Sequence, residues 1–228
     1  VVTGPGELWT ISRLPRPPHG VQIVFTGPQL IPGLHQADGR ELPEGRGWGK
    51  GDAHYPGRDS FMLLVTGGAG FIGSNIVAAL NEAGRADVAV CDFLGSDGKW
   101  RNLAKRQLAD IVPPAELMSW LNGRKLDAVI HMGAISETTA TDGDLVIETN
   151  FRLSMRLLDW CTANSVPFIY ASSAATYGDG DQGFRDDESL AALKQLRPMN
   201  LYGWSKHLFD LALIERVARG QPLPPQWA

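Results

Sequence analysis

Cysteine is scarce in this chain of 228 residues: only two occur, Cys91 and Cys161, each inside a segment patterned as a regular element. That excludes a disulfide framework and suits a reducing, cytoplasmic compartment, with both thiols read as buried small hydrophobes. Long apolar runs are missing as well. None approaches the roughly 18 residues needed to span a bilayer, and the first residues lack the charged-then-apolar pattern of a secretory signal. Positive charge is not in excess: 21 Lys+Arg face 25 Asp+Glu, for a net charge of −4. Nucleic acids and anionic membranes require clustered positive charge, so neither is an expected partner. The five histidines (His19, His35, His54, His131, His207) fall at no ligand-like spacing, so no metal site is expected.

What is present divides near Phe61. Residues 1–61 are crowded with Pro, Gly and Arg, as in Leu14-Pro15-Arg16-Pro17-Pro18 and Gly45-Arg46-Gly47-Trp48-Gly49. Punctuators at this density forbid a long helix and leave little apolar surface to offset ordering entropy. Only Val21–Thr26 and Glu7–Ser12 suit short strands, so the segment is expected to be mostly irregular. Met62 directly precedes the first patterned strand. The expectation is that 1–61 is upstream sequence read through from a mis-set start, with a genuine N-terminal extension as the alternative.

From Met62 to Ala228 short apolar runs alternate with helical periods. Strands are expected over Met62–Thr66, Asp87–Cys91, Asp127–His131 and Pro167–Ala171. Helices are expected over Phe71–Glu82, Pro113–Leu121, around Asp144–Ala163, and over Leu201–Arg219. This alternation predicts an α/β fold: a Rossmann-like, doubly wound parallel sheet with helices on both faces.

The run Val65-Thr66-Gly67-Gly68-Ala69-Gly70-Phe71-Ile72-Gly73 sits where the first of these strands hands over to the first helix. Gly67 suits a tight turn, Gly70 a close backbone approach to a pyrophosphate, and Gly73 close packing of helix on strand. The amides of Phe71 and Ile72 at the helix start add donors and partial positive charge. Asp92, 25 residues after Gly67, can accept from adenine-ribose hydroxyls. Lys99 and Arg101 follow in a Gly-rich stretch. A cation there can pair with a 2′-phosphate, or both can be solvated loop charges, so NADP and NAD both stay open. Met132, Gly133 and Ala134 leave the third strand with the small size that backbone close to a cofactor needs. Asn150 can hold its helix or the cofactor loop, or lie on the surface.

Ser172-Ser173 ends the fourth strand, and Tyr202-Gly203-Trp204-Ser205-Lys206 opens the last helix. Tyrosine and lysine four apart share a helix face. An ammonium beside the phenol favours phenolate, and a serine hydroxyl can bond the same substrate oxygen. Alcohol oxidation requires this set: a base for the O–H proton while a nicotinamide takes hydride from carbon.

Thr66–Gly73, Ser172–Gly178 and Tyr202–Lys206 together resemble the extended short-chain dehydrogenase/reductase superfamily of nucleotide-sugar epimerases and dehydratases. Within it, the near-continuous likeness from Met62 to about Arg219 is to the ADP-glycero-manno-heptose 6-epimerase group, with Ala171-Ser-Ser-Ala-Ala-Thr-Tyr-Gly178 the most diagnostic string. The acidic pair usual in the dehydratases after Thr176 is absent, which disfavours dehydration. The resemblance implies Ser173, Tyr202 and Lys206 as catalytic residues. It implies cofactor contacts from Gly67, Gly70, Gly73, Asp92 and Lys99, NADP as cofactor, and a sugar pocket lined by Ser136, Thr138 and Thr139. Phe93 stands where the family often has Asn. The implied reaction oxidises the heptose C6 hydroxyl and returns hydride to the other face. The family continues well past Ala228 with a second acid/base group and most of its sugar-binding part. The expectation is therefore a truncated piece of a homo-oligomeric enzyme, with little or no turnover of its own. Two alternatives are an NAD-dependent UDP-hexose 4-epimerase or related oxidoreductase, and a dinucleotide-binding piece without catalysis.

Overall fold

The structure, a computed structural model, describes residues 2–4, 7–9 and 61–226. The chain divides into two units, one of Val1–Pro15 with Ile23–Asp59 and one of Arg16–Gln22 with Ser60–Ala228. In the first, the described residues form an antiparallel hairpin of β1 (Val2–Gly4) and β2 (Glu7–Trp9). Pro5-Gly6, a strong turn signal, separates the two strands. The strand expected over Glu7–Ser12 is thus described at Glu7–Trp9, β1 has no counterpart among the expected elements, and Val21–Thr26 lies outside the described residues.

In the second unit the order is β3 (Met62–Thr66), α1 (Phe71–Glu82), β4 (Val88–Cys91), β5 (Asp110–Val112), α2 (Leu117–Trp120), β6 (Leu126–His131) and α3 (Gly143–Val146). A π-turn segment, Ile147–Arg152, joins α3 to α4 (Leu153–Asn164). Then come β7 (Phe168–Tyr170), α5 (Leu190–Leu193) and α6 (Leu201–Ala218). The five strands β3 to β7 are all parallel, in the order β5-β4-β3-β6-β7. The chain winds outward from β3 through β4 to β5, then returns across β3 to β6 and β7. That reversal leaves a crevice at the carboxyl ends of β3 and β6, where doubly wound sheets bind their ligands.

The strands are apolar on both faces because both are covered. Successive side chains alternate: Leu64, Ala89, Cys91 and Val129 join Leu157, Phe168 and Phe209 on one side of the sheet. Leu63, Val65, Val88 and Val90 join Val77 of α1 on the other. Both thiols lie in the first of these layers, and burial pushes each up to about 12, which makes them poor nucleophiles at neutral pH.

Two expected elements differ in form, and one strand is unexpected. Pro113–Leu121 is a 3-10 turn (Pro114–Glu116) followed by the single turn of α2, since Pro114 supplies a helix start but the run is too short to extend. The helix around Asp144–Ala163 is broken by the π-turn. And β5, absent from the expectations, pairs only with β4 at the sheet edge.

Candidate active site

The segments that follow β3, β4, β6 and β7 gather on one rim, because all these strands run parallel. After β3 the chain turns at Gly67, whose φ of +65° lies in the left-handed region, and a Cβ there would stand 2.7 Å from the Gly133 nitrogen. Gly73 presses on the Gly67 carbonyl so closely that any Cβ would overlap it. Only glycine permits both contacts. Gly70 opens α1 with no side-chain cap bond, so the first-turn amides and the helix's partial positive charge remain for an anion. The Phe71 and Ile72 side chains at this end are exposed.

Asp92 lies just beyond β4, buried. One carboxylate oxygen accepts from the Ala69 N–H at 2.8 Å and the other from the Lys99 ammonium at 2.6 Å. Lys99 is therefore not a solvated loop charge: it begins a 3-10 turn, Lys99–Asn102, and is held against Asp92. Arg101 instead lies over the Trp100 ring, 5.4 Å from its centroid.

Behind the rim runs a directed series of hydrogen bonds. Gly133 N–H donates to Thr66 Oγ1 at 3.0 Å, and the Thr66 hydroxyl meets His131 Nδ1 at 2.6 Å. His131 Nε2 meets Ser154 Oγ at 2.8 Å, and the Ser154 hydroxyl donates to the Asn150 carbonyl at 2.6 Å. Ser154 has one proton and commits it to Asn150, so His131 Nε2 carries the hydrogen and Nδ1 accepts from Thr66. Burial, aided by the Lys206 ammonium, lowers His131 from 6.5 to about 3.

That shift has a measurable sign. A histidine kept neutral in the folded chain binds fewer protons than in the unfolded one, so stability falls as pH drops through 6.5 toward 3. His207, lowered mainly by burial with Arg197 adding, contributes in the same direction. Urea midpoints are expected to fall between pH 6.5 and 5, above the range where ordinary carboxylates titrate, at up to about 1.4 kcal/mol per pH unit from His131. A flat midpoint over that interval contradicts the neutral assignment.

Asn150, fully buried in the π-turn segment, is saturated by the chain itself. Its Oδ1 accepts from Ile135 N–H at 2.8 Å, and its amide donates to Ile135 O and to Ser205 Oγ, both at 2.9 Å. The Ser205 hydroxyl in turn donates to the Tyr202 carbonyl at 2.7 Å. Asn150 is thus neither a surface residue nor free for a ligand; it fixes the Met132–Ser136 loop and the start of α6. Met132, Gly133 and Ala134 are half-buried on that loop. Ser136 at its end stands exposed, as do Thr138 and Thr139 beyond it.

The start of α6 is capped by Asn200, whose Oδ1 accepts from Gly203 N–H at 2.8 Å. A Cβ at Gly203 would stand 2.5 Å from the Ala175 carbonyl, so α6 abuts the segment after β7. This contact brings Ser173 and Tyr202 to one corner of the rim. Ser173 Oγ accepts from Ala175 N–H at 3.1 Å, which leaves its own proton for an oxygen outside the chain. Tyr202 and Lys206 share a face of α6. Lys206 is only 3% exposed, and among the described residues no acceptor lies within hydrogen-bond range of its ammonium. Burial lowers it from 10.5 to about 8, with Asp210 opposing that shift.

Several residues here lie beyond the reach of sequence patterns. Asp210 accepts from Tyr170 OH at 2.7 Å and from Ser172 Oγ at 2.6 Å. Its only signal is a lone acid between Phe209 and Leu211, on the face of α6 that carries Lys206. Thr66, His131, Ser154 and Ser205 give no local signal, because the side-chain to side-chain bonds that join them to other elements span 23 to 65 residues. Among the described residues no His, Cys, Asp and Glu group could hold a metal ion, and no helix is long and apolar enough to cross a membrane.

Residues 63–221 match the NAD dependent epimerase/dehydratase family. A Fusobacterium nucleatum protein named ADP-L-glycero-D-manno-heptose-6-epimerase is 43% identical over 170 residues, covering 73% of this chain and 50% of the relative. The crystal structure of the Helicobacter pylori ADP-L-glycero-D-manno-heptose-6-epimerase superposes with a TM-score of 0.58 at 29% identity, over 69% of this chain and 51% of that one. A short-chain dehydrogenase/reductase superfamily protein from Agrobacterium tumefaciens with bound NAD gives 0.51 at 30% identity, over 69% and 45%. The chain spans about half the length of the curated relatives it matches. With the strand order β5-β4-β3-β6-β7, the glycine turn and the Ser/Tyr/Lys corner on one rim, this chain belongs to the NAD dependent epimerase/dehydratase family.

Proposed function

We propose that residues 62–228 are the dinucleotide-binding part of a nucleotide-sugar epimerase of the ADP-glycero-manno-heptose 6-epimerase type. The observation that carries this reading is Lys206: a buried ammonium with no acceptor among the described residues, on the helix face of Tyr202 and on the rim that carries the glycine turn. An ammonium on a buried side chain is costly to leave without a hydrogen-bond acceptor, and ribose hydroxyls are suited to supply one. The residues fit a dinucleotide at its other end too, since the Gly67–Gly73 turn packs tightly enough to bring the uncapped first-turn amides of α1 to the rim, where a phosphate can accept from them.

In this reading Gly67, Gly70, Phe71, Ile72 and Gly73 hold the pyrophosphate, Asp92 and Lys99 the adenine ribose, and Met132, Gly133, Ala134, Tyr202 and Lys206 the nicotinamide half. When bound, the nicotinamide supplies hydride acceptance from a sugar carbon and its return. The chain handles the proton. Tyr202 takes the hydroxyl proton through its phenol oxygen, with Lys206 on the same helix face, and Ser173 keeps its proton and donates a hydrogen bond to the same substrate oxygen. Ser136 adds a polar contact to the sugar. Asn150 acts through the loop it clamps.

NADP is the favoured cofactor, because Lys99 is poised beside the ribose-facing carboxylate and can turn to a 2′-phosphate. The NAD-dependent UDP-hexose reading draws on the same pair, since Asp92 suits a free 2′-hydroxyl. Lys99→Ala separates them. NADPH affinity, followed by fluorescence titration, is expected to fall about tenfold or more, with NADH affinity nearly unchanged. An equal loss for both dinucleotides, or none for either, contradicts the role given to Lys99.

A further inference from the structure

One buried charged group has no task in the proton chemistry of Tyr202, Lys206 and Ser173. Asp210 is 8% exposed, one helical turn beyond Lys206, so Tyr202, Lys206 and Asp210 stand in file at every fourth residue of α6. Its carboxylate is caged from the sheet side: Tyr170 of β7 donates to Oδ1 at 2.7 Å and Ser172 to Oδ2 at 2.6 Å. Ser172 is the residue immediately before Ser173.

We infer that Asp210 is a positioning residue of this site: the buried counter-charge to the Lys206 ammonium, and the anchor that ties the Ser173 strand end to the catalytic face of α6. This rests on the roles proposed above for Ser173, Tyr202 and Lys206.

Burial pushes the Asp210 carboxyl up from its ordinary value, while Ser172, Tyr170 and the Lys206 ammonium oppose that rise. The hydroxyl inventory favours the charged form at neutral pH. Tyr170 and Ser172 have one proton each, and both point at the carboxylate, which as an anion accepts them without needing a donor of its own. A protonated Asp210 must turn one hydroxyl away. Among the described residues, the titratable groups near this cage are few. They are His131 at the end of β6, Tyr170 at the end of β7, Tyr177 in the following 3-10 turn, Glu188 before α5, and Tyr202 on α6 itself. His131 is neutral, and Glu188 acts on Tyr170 rather than on Lys206. Asp210 is the acid whose charge is felt at Lys206. At 2.6–2.7 Å the two hydroxyl bonds also span the junction between β7 and α6. Moving that junction moves Ser173 against Tyr202.

The test is a side-chain NMR pH titration of the whole chain, with the Lys206 resonance assigned by its loss in Lys206→Met. Wild-type Lys206 is expected to titrate near 8. Asp210→Asn is expected to lower that midpoint by about one pH unit or more, a tenfold loss of proton affinity. Ser172→Ala sits at an exposed position and removes one donor from the cage; it is expected to lower the midpoint by a smaller amount, and it stands as the test should Asp210→Asn fail to fold. An unmoved Lys206 midpoint in the folded variants overturns the inference. The readout needs no dinucleotide. Failure of the wild-type chain to bind NADPH would strike the functional reading, whereas the role of Asp210 stands or falls on the titration.

Discussion

Tyr202→Phe is expected to cut reduction of an aldehyde substrate by this chain about 10²–10⁴-fold while leaving NADPH affinity nearly unchanged. Tyr202 lies in file with Lys206 on α6, beside Gly203, which packs against the Ala175 carbonyl two residues after Ser173. Phenylalanine keeps the ring and its packing and removes only the phenol oxygen. The Tyr202 backbone is fixed independently, by Ser205 on its carbonyl and by the Asn200 cap one turn below. The substitution should therefore leave α6 in place, and a loss of turnover reads on proton transfer rather than on fold. The measurement is oxidation of NADPH with a small aldehyde, beside a binding titration of the same sample. Turnover unchanged from wild type would remove Tyr202 from the catalytic role.

The largest effect on stability is expected at Phe168. Its side chain is fully buried at the start of β7. Three rings surround it: His131 at 6.0 Å between centroids, Tyr170 at 6.1 Å and Phe209 at 6.4 Å. These belong to β6, β7 and α6, so the ring sits where the two strands that carry the rim meet the helix that carries Tyr202. Phe168→Ala empties that position at a cost of about 3–5 kcal/mol, a large share of the roughly 5–15 kcal/mol that holds a domain folded. Phe168→Leu keeps most of the volume and is expected to cost less than about 1.5–2 kcal/mol. Urea denaturation measures both. Equal midpoints for wild type and Phe168→Ala would contradict the assigned core. The alanine variant should also weaken dinucleotide binding, since β6 leads into the Met132–Ser136 loop.

The elements that build the rim are legible in the sequence because their signals are local. Met62–Val65 is apolar throughout since both sheet faces are covered, and the strand ends on a glycine run. Tyr202 and Lys206, proposed as catalytic, are legible as a pair only when their spacing is set beside the glycine run and Ser172-Ser173. β5 escapes because Asp110–Val112 is three residues with a polar start, on an edge where a single partner strand suffices. The π-turn at Ile147–Arg152 escapes because nothing in a helical period marks an extra residue per turn; within it Asn150 clamps Ile135. Lys99 can be read as a cation near the ribose, but its partner cannot, since Asp92 lies seven residues away across a Gly-rich turn. Asp210 needs two facts from different elements, its place on α6 and the hydroxyls of β7. Residue-type patterns carry one of these and pairing distances the other.

Every role assigned on the rim depends on its holding a nicotinamide dinucleotide between Lys206 and the glycine turn. Titration of the chain with NADPH, followed by the change in nicotinamide fluorescence, tests this most directly. Saturable binding of one dinucleotide per chain is expected, lost in Gly73→Val, whose Cβ would overlap the Gly67 carbonyl oxygen and push the turn out of place. An absence of saturable binding at millimolar dinucleotide, or binding that Gly73→Val leaves intact, would contradict it.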